Sequence, residues 1–341
     1  MRSISVRRPR LSWRRVVALA AAALTLFVAL GFFGGLVPLF DTFGQFRAHG
    51  AILLLVLVPP LLFQRRFGLG GAACLVGLLA LYTVLPFLPL ATPPADPAPG
   101  APRYTLLQMN LRFDAPEPDK ALSLIARLRP DVVTLEELTG EWQTALERMS
   151  SAYPYQFYCR SRKADGDVAI LSRRPFLGSV PGREATGTDC DLANRFAVKT
   201  VDFNGLPVVI GAEHLRWPWP GGQHRMVASL APLLGRLSDP LIIAGDFNSA
   251  PWTATMQAYA KASHTRLVGG IGPSWIAEFL PPELGRYLGL PIDNVLVSDG
   301  VEVLGVQRVE ATSSDHLPVL LTFTMRFALP EEPEVRSATL R

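Results

Sequence analysis

The sequence predicts a mixed α/β (α+β) sandwich, two stacked sheets with helices on their outer faces, carried behind an apolar N-terminal region. Three observations predict it. Apolar β-rich runs alternate with amphipathic segments after residue 102. That stretch holds about 230 residues, enough for one sizeable core. Finally, the apolar excess of a chain that is 49% hydrophobic, with mean hydropathy +0.25, is concentrated before Pro93.

The N-terminal region, residues 1–90, reads as a membrane anchor with three spans, at 16–40, 49–64 and 69–90. The runs from Val16 to Phe40 and from Leu69 to Leu90 are uncharged and exceed the roughly 20 residues that a helix needs to cross a bilayer core. The middle run, Ala51 to Phe63, is shorter and contains Pro59 and Pro60. It is read as a crossing extended by His49 and Gly50, with a re-entrant segment as the alternative. Six arginines precede the first span, and Arg65 and Arg66 lie between the second and third. That pattern puts the N-terminus and this loop in the cytoplasm, and everything after Leu90 on the outer side of a cell (inner) membrane. A cleaved signal peptide is the rival for the first run, which is longer than a typical h-region and is followed by two more apolar runs.

Charge narrows the partners. Of 33 basic and 29 acidic residues, the first hundred positions hold nine arginines and two aspartates, leaving 24 against 27, or −3, for the rest. A non-specific nucleic-acid binder normally presents a net basic face, so nucleic acid is the less favoured partner.

A Pro-rich linker at 91–102 cannot hold a helix and marks the domain boundary. The domain proper runs over 103–327, with a disordered tail at 328–341. Strands are expected at 104–109, 132–135, 168–171, 196–203, 208–211, 241–244, 294–297 and 317–323. Ala121, Leu122, Leu124, Ile125 and Leu128 have helical spacing that ends at Pro130, and Met226 to Leu237 repeats the pattern. Asp202 to Gly205, DFNG, is a hairpin signal. Cys159 and Cys190 are either a disulfide or two free thiols, and Cys74 belongs to the third apolar run.

Residues with ligand chemistry recur where strands end: Asn110 in QMNLR, Glu137 in DVVTLEEL, His214 in GAEHLRWP, Asp246 and Asn248 in IIAGDFNSAP, Asp293 in PIDNVLVS, and Asp315-His316 in SSDHLPV. Strand ends on one sheet edge converge, so residues distant in sequence can meet around one ion. Hard oxygen donors of this kind suit Mg²⁺ or Mn²⁺.

These six motifs, in this order, resemble the endonuclease/exonuclease/phosphatase superfamily, the fold of DNase I, abasic-site endonucleases, inositol-polyphosphate 5-phosphatases and neutral sphingomyelinases. The resemblance covers about 104–323 and implies a four-layer αββα sandwich and a metal-dependent phosphoesterase. The preceding anchor makes the chain look similar to the membrane-anchored VanJ-like subgroup. The resemblance implies Glu137 as principal metal ligand, with Asn110 and Asp315 beside it. Glu136 stands where the family usually has glutamine and reads as a supporting carboxylate. Asp293 and His316 correspond to a dyad in which His316 is either the base for the attacking water or a charged phosphate stabiliser. Asp246 is the other candidate to hold the water, with Asn248 as partner, and His214 contacts a phosphate oxygen or protonates the leaving group.

Asn194 and Arg195, which precede a strand, and Arg225, in a first helical turn where it opposes the helix dipole, are candidate phosphate contacts. Trp217, Trp219 and Trp275, in Pro/Gly-rich loops, either touch the lipid interface or simply pack. His224 and His264 read as structural. The loops 160–166, 215–223 and 264–290 are expected to set selectivity. The favoured substrate is a lipid-linked phosphoester or pyrophosphate. A membrane-anchored nuclease and a non-catalytic sensor of envelope precursors are the alternatives.

Overall fold

The computed structural model describes residues 12–89, 96, 98–159, 167–178 and 189–326. Arg160 to Gly166, most of the Pro-rich linker and the C-terminal tail lie outside the described residues.

The N-terminal region is helical: α1 Trp13–Leu30, α2 Pro38–Gln45, α3 Arg47–Phe63 and α4 Phe67–Val84. Two stretches, Trp13–Phe33 and Phe67–Phe87, are long and apolar enough to cross a membrane; α2 and α3, bent by 65°, make a third if they count as one span. The expected 16–40 run is therefore divided. Its helix stops at Phe33, where Gly34 and Gly35 follow, and Pro38 opens α2 at the first helical position, which suits its fixed φ and missing N–H. The middle helix runs unbroken through Pro59 and Pro60. Small residues line the helix contacts: Gly77 abuts Leu54 and Leu55, Gly50 abuts Val28, and Ala21, Ala51, Ala73 and Ala80 are buried. Close approach over small side chains is how apolar helices associate without a hydrophobic gain. Leu19, Leu26, Ile52, Val56, Leu75 and Leu78 face outward.

Among the described residues, the domain that follows contains twelve strands in two six-stranded sheets. The first sheet is built from β1 Tyr104–Asn110, β2 Val132–Leu138, β3 Tyr155–Cys159, β4 Asp167–Ser172, β11 Val301–Arg308 and β12 Val319–Met325, in the order β11-β12-β1-β2-β4-β3. The second is built from β5 Cys190–Asp191, β6 Phe196–Asp202, β7 Pro207–His214, β8 Leu241–Asp246, β9 Arg266–Leu267 and β10 Asp293–Val297, in the order β5-β6-β7-β8-β10-β9. All eight expected strands form. The last starts at Val319 rather than 317, after Pro318, which lacks the N–H a ladder needs. The DFNG turn joins β6 to β7 with Asn204 and Gly205 both at positive φ, as the tight hairpin demands. Strands β3, β5, β9 and β11 went unread, being short edge strands or carrying mixed polar residues.

Helices α5 Pro118–Leu128 and α6 Gly140–Glu147 cover the first sheet. α7 Gln223–Leu234 and α8 Ala254–Ala262 cover the second, and α9 Pro282–Leu288 lies in a loop. The layers are thus helix, sheet, sheet, helix. Because both faces of each sheet are covered, the strands read as continuous apolar runs. Leu106, Val132, Ile170, Ile210, Ile242 and Val295 meet between the sheets, while Leu107, Met109, Val133 and Leu135 face α5 and α6. Cys159 and Cys190 form a disulfide that ties β3 of one sheet to β5 of the other.

Candidate active site

The topology explains why distant residues meet. Each sheet has one parallel pair, β1 with β2 and β7 with β8, flanked by antiparallel neighbours. Parallel strands deliver their C-terminal ends to one edge, and antiparallel neighbours deliver their N-terminal ends to the same edge. Register makes this concrete: Asn110 lies opposite Glu136, His214 opposite Asp246, and Asp246 opposite Asp293.

Alternation selects the face. Tyr104 and Leu106 point between the sheets, and two residues further along so do Gln108 and Asn110; Val132 leads to Glu136, Ala212 to His214, Ala244 to Asp246, and Val295 back to Asp293. Glu137 has the wrong parity and escapes it. Its φ is 60°, and the β2–β4 register shifts between Leu135 and Leu138. This left-handed bulge turns Glu137 into the cleft and leaves Glu136 sealed in the interior, a costly conformation of the sort that persists at functional sites.

The cleft, about 520 Å³, is lined by Glu137, His214, Asp246, Asn248, Asp315 and His316, with Arg195, Trp217 and Trp275. Asn110 bridges it: Nδ2 donates to Glu137 Oε1 and to Asp246 Oδ2, each at 3.0 Å, while Oδ1 accepts from the Arg112 N–H. His316 Nδ1 pairs with Asp293 Oδ2 at 2.8 Å. The Nε2 atoms of His316 and His214 each lie 3.8 Å from Asp246 Oδ2. The Asn248 N–H donates to Asp246 Oδ1 at 2.8 Å, and its side-chain amide is held by the Leu215 carbonyl. Asp315 Oδ2 accepts from Trp275 Nε1 at 2.9 Å.

Electrostatics separates the two histidines. Burial lowers His214 to about 3, helped by Arg195 and His316. Burial also opposes charge on His316, but the carboxylates of Asp293 and Asp246 outweigh it and raise the imidazole to about 10. Burial pushes Asp246 up to about 7. Near neutral pH, His316 is the charged histidine of the site and His214 is neutral.

Two clusters have the donor set of a cation site: Glu137, His214 and Asp246 offer ligand atoms within 4.8 Å of one another, as do Asp246, Asp293 and His316. Beyond the Asn110 amide that bridges them, Glu137 accepts from the Phe113 N–H and Asp246 from the Asn248 N–H, none of them a cation, so a divalent ion beside them would offset the carboxylate charge that burial makes costly at Asp246. The residues fit such an ion. Rotation of the Asn110 amide would turn its oxygen toward the ion.

Of the candidate phosphate contacts, only Arg195 lines the cleft. Asn194 is engaged elsewhere, with Nδ2 on Asp191 and Oδ1 accepting from Ser229. Arg225 is exposed on α7, beside Gly222. Sequence reasoning missed Gln108, whose Nε2 donates to Glu136 Oε2 and Asp293 Oδ1, both at 2.8 Å, fixing the carboxylate that orients His316. The signal was available in its parity, two residues before Asn110 on one strand.

A model of the endonuclease/exonuclease/phosphatase family matches residues 107–316. A UPF0294 protein of Vibrio parahaemolyticus is 26% identical over 163 residues, 46% of this chain and 50% of that protein, so the chain spans half the length of this curated relative. Among solved structures, D. rerio TDP2 complexed with a single-strand DNA product has 18% identity and a TM-score of 0.50, with 65% of this chain and 99% of that chain covered. An endonuclease/exonuclease/phosphatase from Beutenbergia cavernae has 20% identity and a TM-score of 0.49, with coverage of 65% and 72%. At such identity the likeness to the D. rerio TDP2 structure speaks to fold alone. The family model spans every site residue from Asn110 to His316, and the chain belongs to the endonuclease/exonuclease/phosphatase family.

Proposed function

We propose that this family hydrolase is a divalent-metal-dependent phosphoesterase that cleaves a phosphoester or pyrophosphate bond of a lipid-linked substrate on the outer side of the membrane, in the manner of the VanJ-like subgroup. The observation that carries the hydrolytic reading is the convergence of both histidine Nε2 atoms on one oxygen of Asp246, beside Glu137 and Asn110.

Phosphate esters resist attack because their charge repels nucleophiles, so a site must neutralise equatorial oxygens, orient a water and protonate the leaving oxygen. Glu137 and Asp246, bridged by Asn110, would hold Mg²⁺ or Mn²⁺, with Asp315 lining the same cleft, and the ion would supply charge neutralisation for the phosphate. The chain's own residues do the rest. His316, kept protonated by Asp293, donates a hydrogen bond to a phosphate oxygen or a proton to the leaving oxygen. Asp246, fixed by the Asn248 N–H, holds the attacking water. His214, neutral, donates a hydrogen bond to phosphate rather than a proton, and Arg195 adds positive charge at the rim.

Support for the lipid reading comes from the cleft's surroundings. Phe113 and Trp217 line it and are exposed, and Trp219, Phe279 and Tyr287 are exposed in the 215–223 and 264–290 segments. The α9 loop reaches the anchor, where His49 Nε2 lies 2.9 Å from the Leu288 carbonyl oxygen. Aromatic side chains of this type suit a headgroup layer. The Cys159–Cys190 disulfide is what an oxidising, extracytoplasmic compartment permits.

The test is metal-dependent phosphate release by the full chain in detergent on a polyprenyl pyrophosphate, a phospholipid and plasmid DNA, with His316→Ala as control. Turnover of a lipid substrate that needs both metal and His316 is the expected result. Cleavage of DNA alone would make the chain an anchored nuclease, and no turnover on any of the three would favour the envelope-precursor sensor.

A further inference from the structure

The anchor does more than sit beside the catalytic domain. The segment that carries Asp246 and Asn248 continues through Ser249, Ala250 and Trp252 into the first turn of α8, and this same segment receives the elbow between α2 and α3. Asp41 Oδ1 accepts from the Ala254 N–H at 2.8 Å and Oδ2 from the Thr255 N–H at 3.1 Å. A carboxylate thus meets the free N–H groups and positive dipole end of α8. Gln45 Oε1 accepts from the Ala250 N–H at 2.6 Å, and Nε2 donates to Ser249 Oγ at 3.1 Å. Trp252 Nε1 donates to the Gly44 carbonyl at 2.8 Å, and Arg47 Nη1 donates to the Trp252 carbonyl at 3.0 Å. Val84 joins Ala250 and Trp252 in a small apolar cluster under these bonds.

Asp41, Gln45 and Arg47 are all buried. Asp41 is also the one acidic residue before Asp96. Its spacing to Gly44 and Gln45 puts these three positions on one face of α2. A carboxylate in so apolar a region is expensive unless it is paired, and such residues usually mark a function. Here Asp41 faces the charge of Arg47 within its own region, while both its hydrogen bonds go to the start of α8.

The contact reaches the chemistry in two further steps. Ser249 Oγ donates to Gln223 Oε1 at 2.8 Å. Gln223 Nε2 in turn donates to the Phe247 carbonyl, between Asp246 and Asn248, and to the Arg216 carbonyl, beside Trp217, each at 2.7 Å. Asn294 Nδ2 holds the Ser249 carbonyl from β10. The segment from 246 to 255 is therefore clamped from one side by the domain and from the other by the elbow. Asn248, in the left-handed region at φ 48°, lies inside this clamped stretch.

We propose that Gln45 is a positioning residue for Asp246 and Asn248, and that Asp41 and Arg47 seat the anchor so that the catalytic segment attains its geometry only when the anchor is docked. The experiment uses the full chain in detergent micelles, wild type against Gln45→Ala, Gln45→Glu and Ser249→Ala. Two readouts are taken: amide hydrogen exchange at Asn248 and Ala250, and kcat and KM for metal-dependent hydrolysis of bis(p-nitrophenyl) phosphate, a soluble diester that needs no delivery from the bilayer. In Gln45→Ala, exchange should rise at both amides, with kcat down on the order of tenfold and KM changed less than about twofold, since displacements near 1 Å cost up to about a hundredfold. Gln45→Glu keeps an acceptor for the Ala250 N–H and should recover most of the protection there, while Ser249→Ala should loosen Asn248 as Gln45→Ala does. Faster exchange at Ala250 alone, with Asn248 and kcat unchanged, overturns the proposal, because a local packing role produces only that. So does unchanged exchange at both amides. If wild type does not cleave the diester, the hydrolytic reading is what suffers, and the Asn248 amide decides the positioning role by itself.

Discussion

His214 and His316 stand equally far from one Asp246 oxygen, yet their surroundings drive them apart, and that difference assigns their roles. Groups pushed to opposite protonation states in one cleft divide acid from neutral partner. His316→Ala should lower kcat by about 10²–10⁴-fold, the range for positioned proton transfer, measured on whichever phosphoester the wild type turns over. Asp293→Asn removes the strongest charge supporting the imidazolium, so the alkaline limb of the pH–rate profile should move to lower pH. The same shifts act on stability. His316 is raised to about 10 from an ordinary 6.5, so its contribution is complete below about 6.5 and is lost as pH climbs through 10. His214 is lowered to about 3, so the folded state gains on the unfolded as pH rises from about 3 to 6.5. Denaturant midpoints should lose a rising limb between about pH 3 and 6.5 in His214→Gln and a falling limb between about pH 6.5 and 10 in His316→Gln, relative to wild type. The neighbouring glutamates differ as sharply. Burial pushes Glu136 well above the ordinary carboxylate range, which favours its uncharged form, close in shape to an amide. Glu136→Gln should therefore keep kcat/KM within about threefold, whereas Glu137→Gln should lose roughly two orders of magnitude, as expected when a charge that neutralises the transition state is no longer held in place.

At the scale of elements, the site depends on strand parity and on the few places that break it. Alternation brings Asn110, His214, Asp246 and Asp293 to one inter-sheet edge, and the bulge in β2 adds Glu137. The DFNG turn keeps β6 and β7 in register, and Gly205 sits at φ 90° with open space around the position of a Cβ. Gly205→Ala should cost about 1–2 kcal/mol from backbone strain alone, read from chemical denaturation. The disulfide spans 31 residues and joins an edge strand of each sheet. Cys159→Ser/Cys190→Ser should lose about 3 kcal/mol, with kcat changing little because neither cysteine lines the cleft.

For the whole molecule, the apolar N-terminal helices and the hydrolase domain share a buried polar contact, so cutting between them is not neutral. A fragment starting at residue 101 uncovers Trp252, Ala250 and the first N–H groups of α8, which Asp41 and Gln45 otherwise satisfy. It should unfold at a lower temperature than the domain in the full chain and should self-associate more, measured by calorimetry and light scattering.

The amino-acid sequence by itself determined the order of the layers, the ligand-bearing motifs and the apolar helices, because period-two and helical patterns, turn residues and apolar runs are local signals. It also named the residues of the cleft, since catalytic side chains cluster where buried strands stop. Tertiary structure alone decided which of two adjacent glutamates enters the cleft, because that rests on one left-handed φ; that Cys159 and Cys190 bond, because spacing carries no distance; that Asn194 and Arg225 face elsewhere; and that Gln108 steadies Asp293 from another sheet. It alone showed the polar elbow between α2 and α3 meeting the segment from 246 to 255, a contact between residues about two hundred positions apart for which no local pattern exists, since such pairings arise from the packing of whole elements.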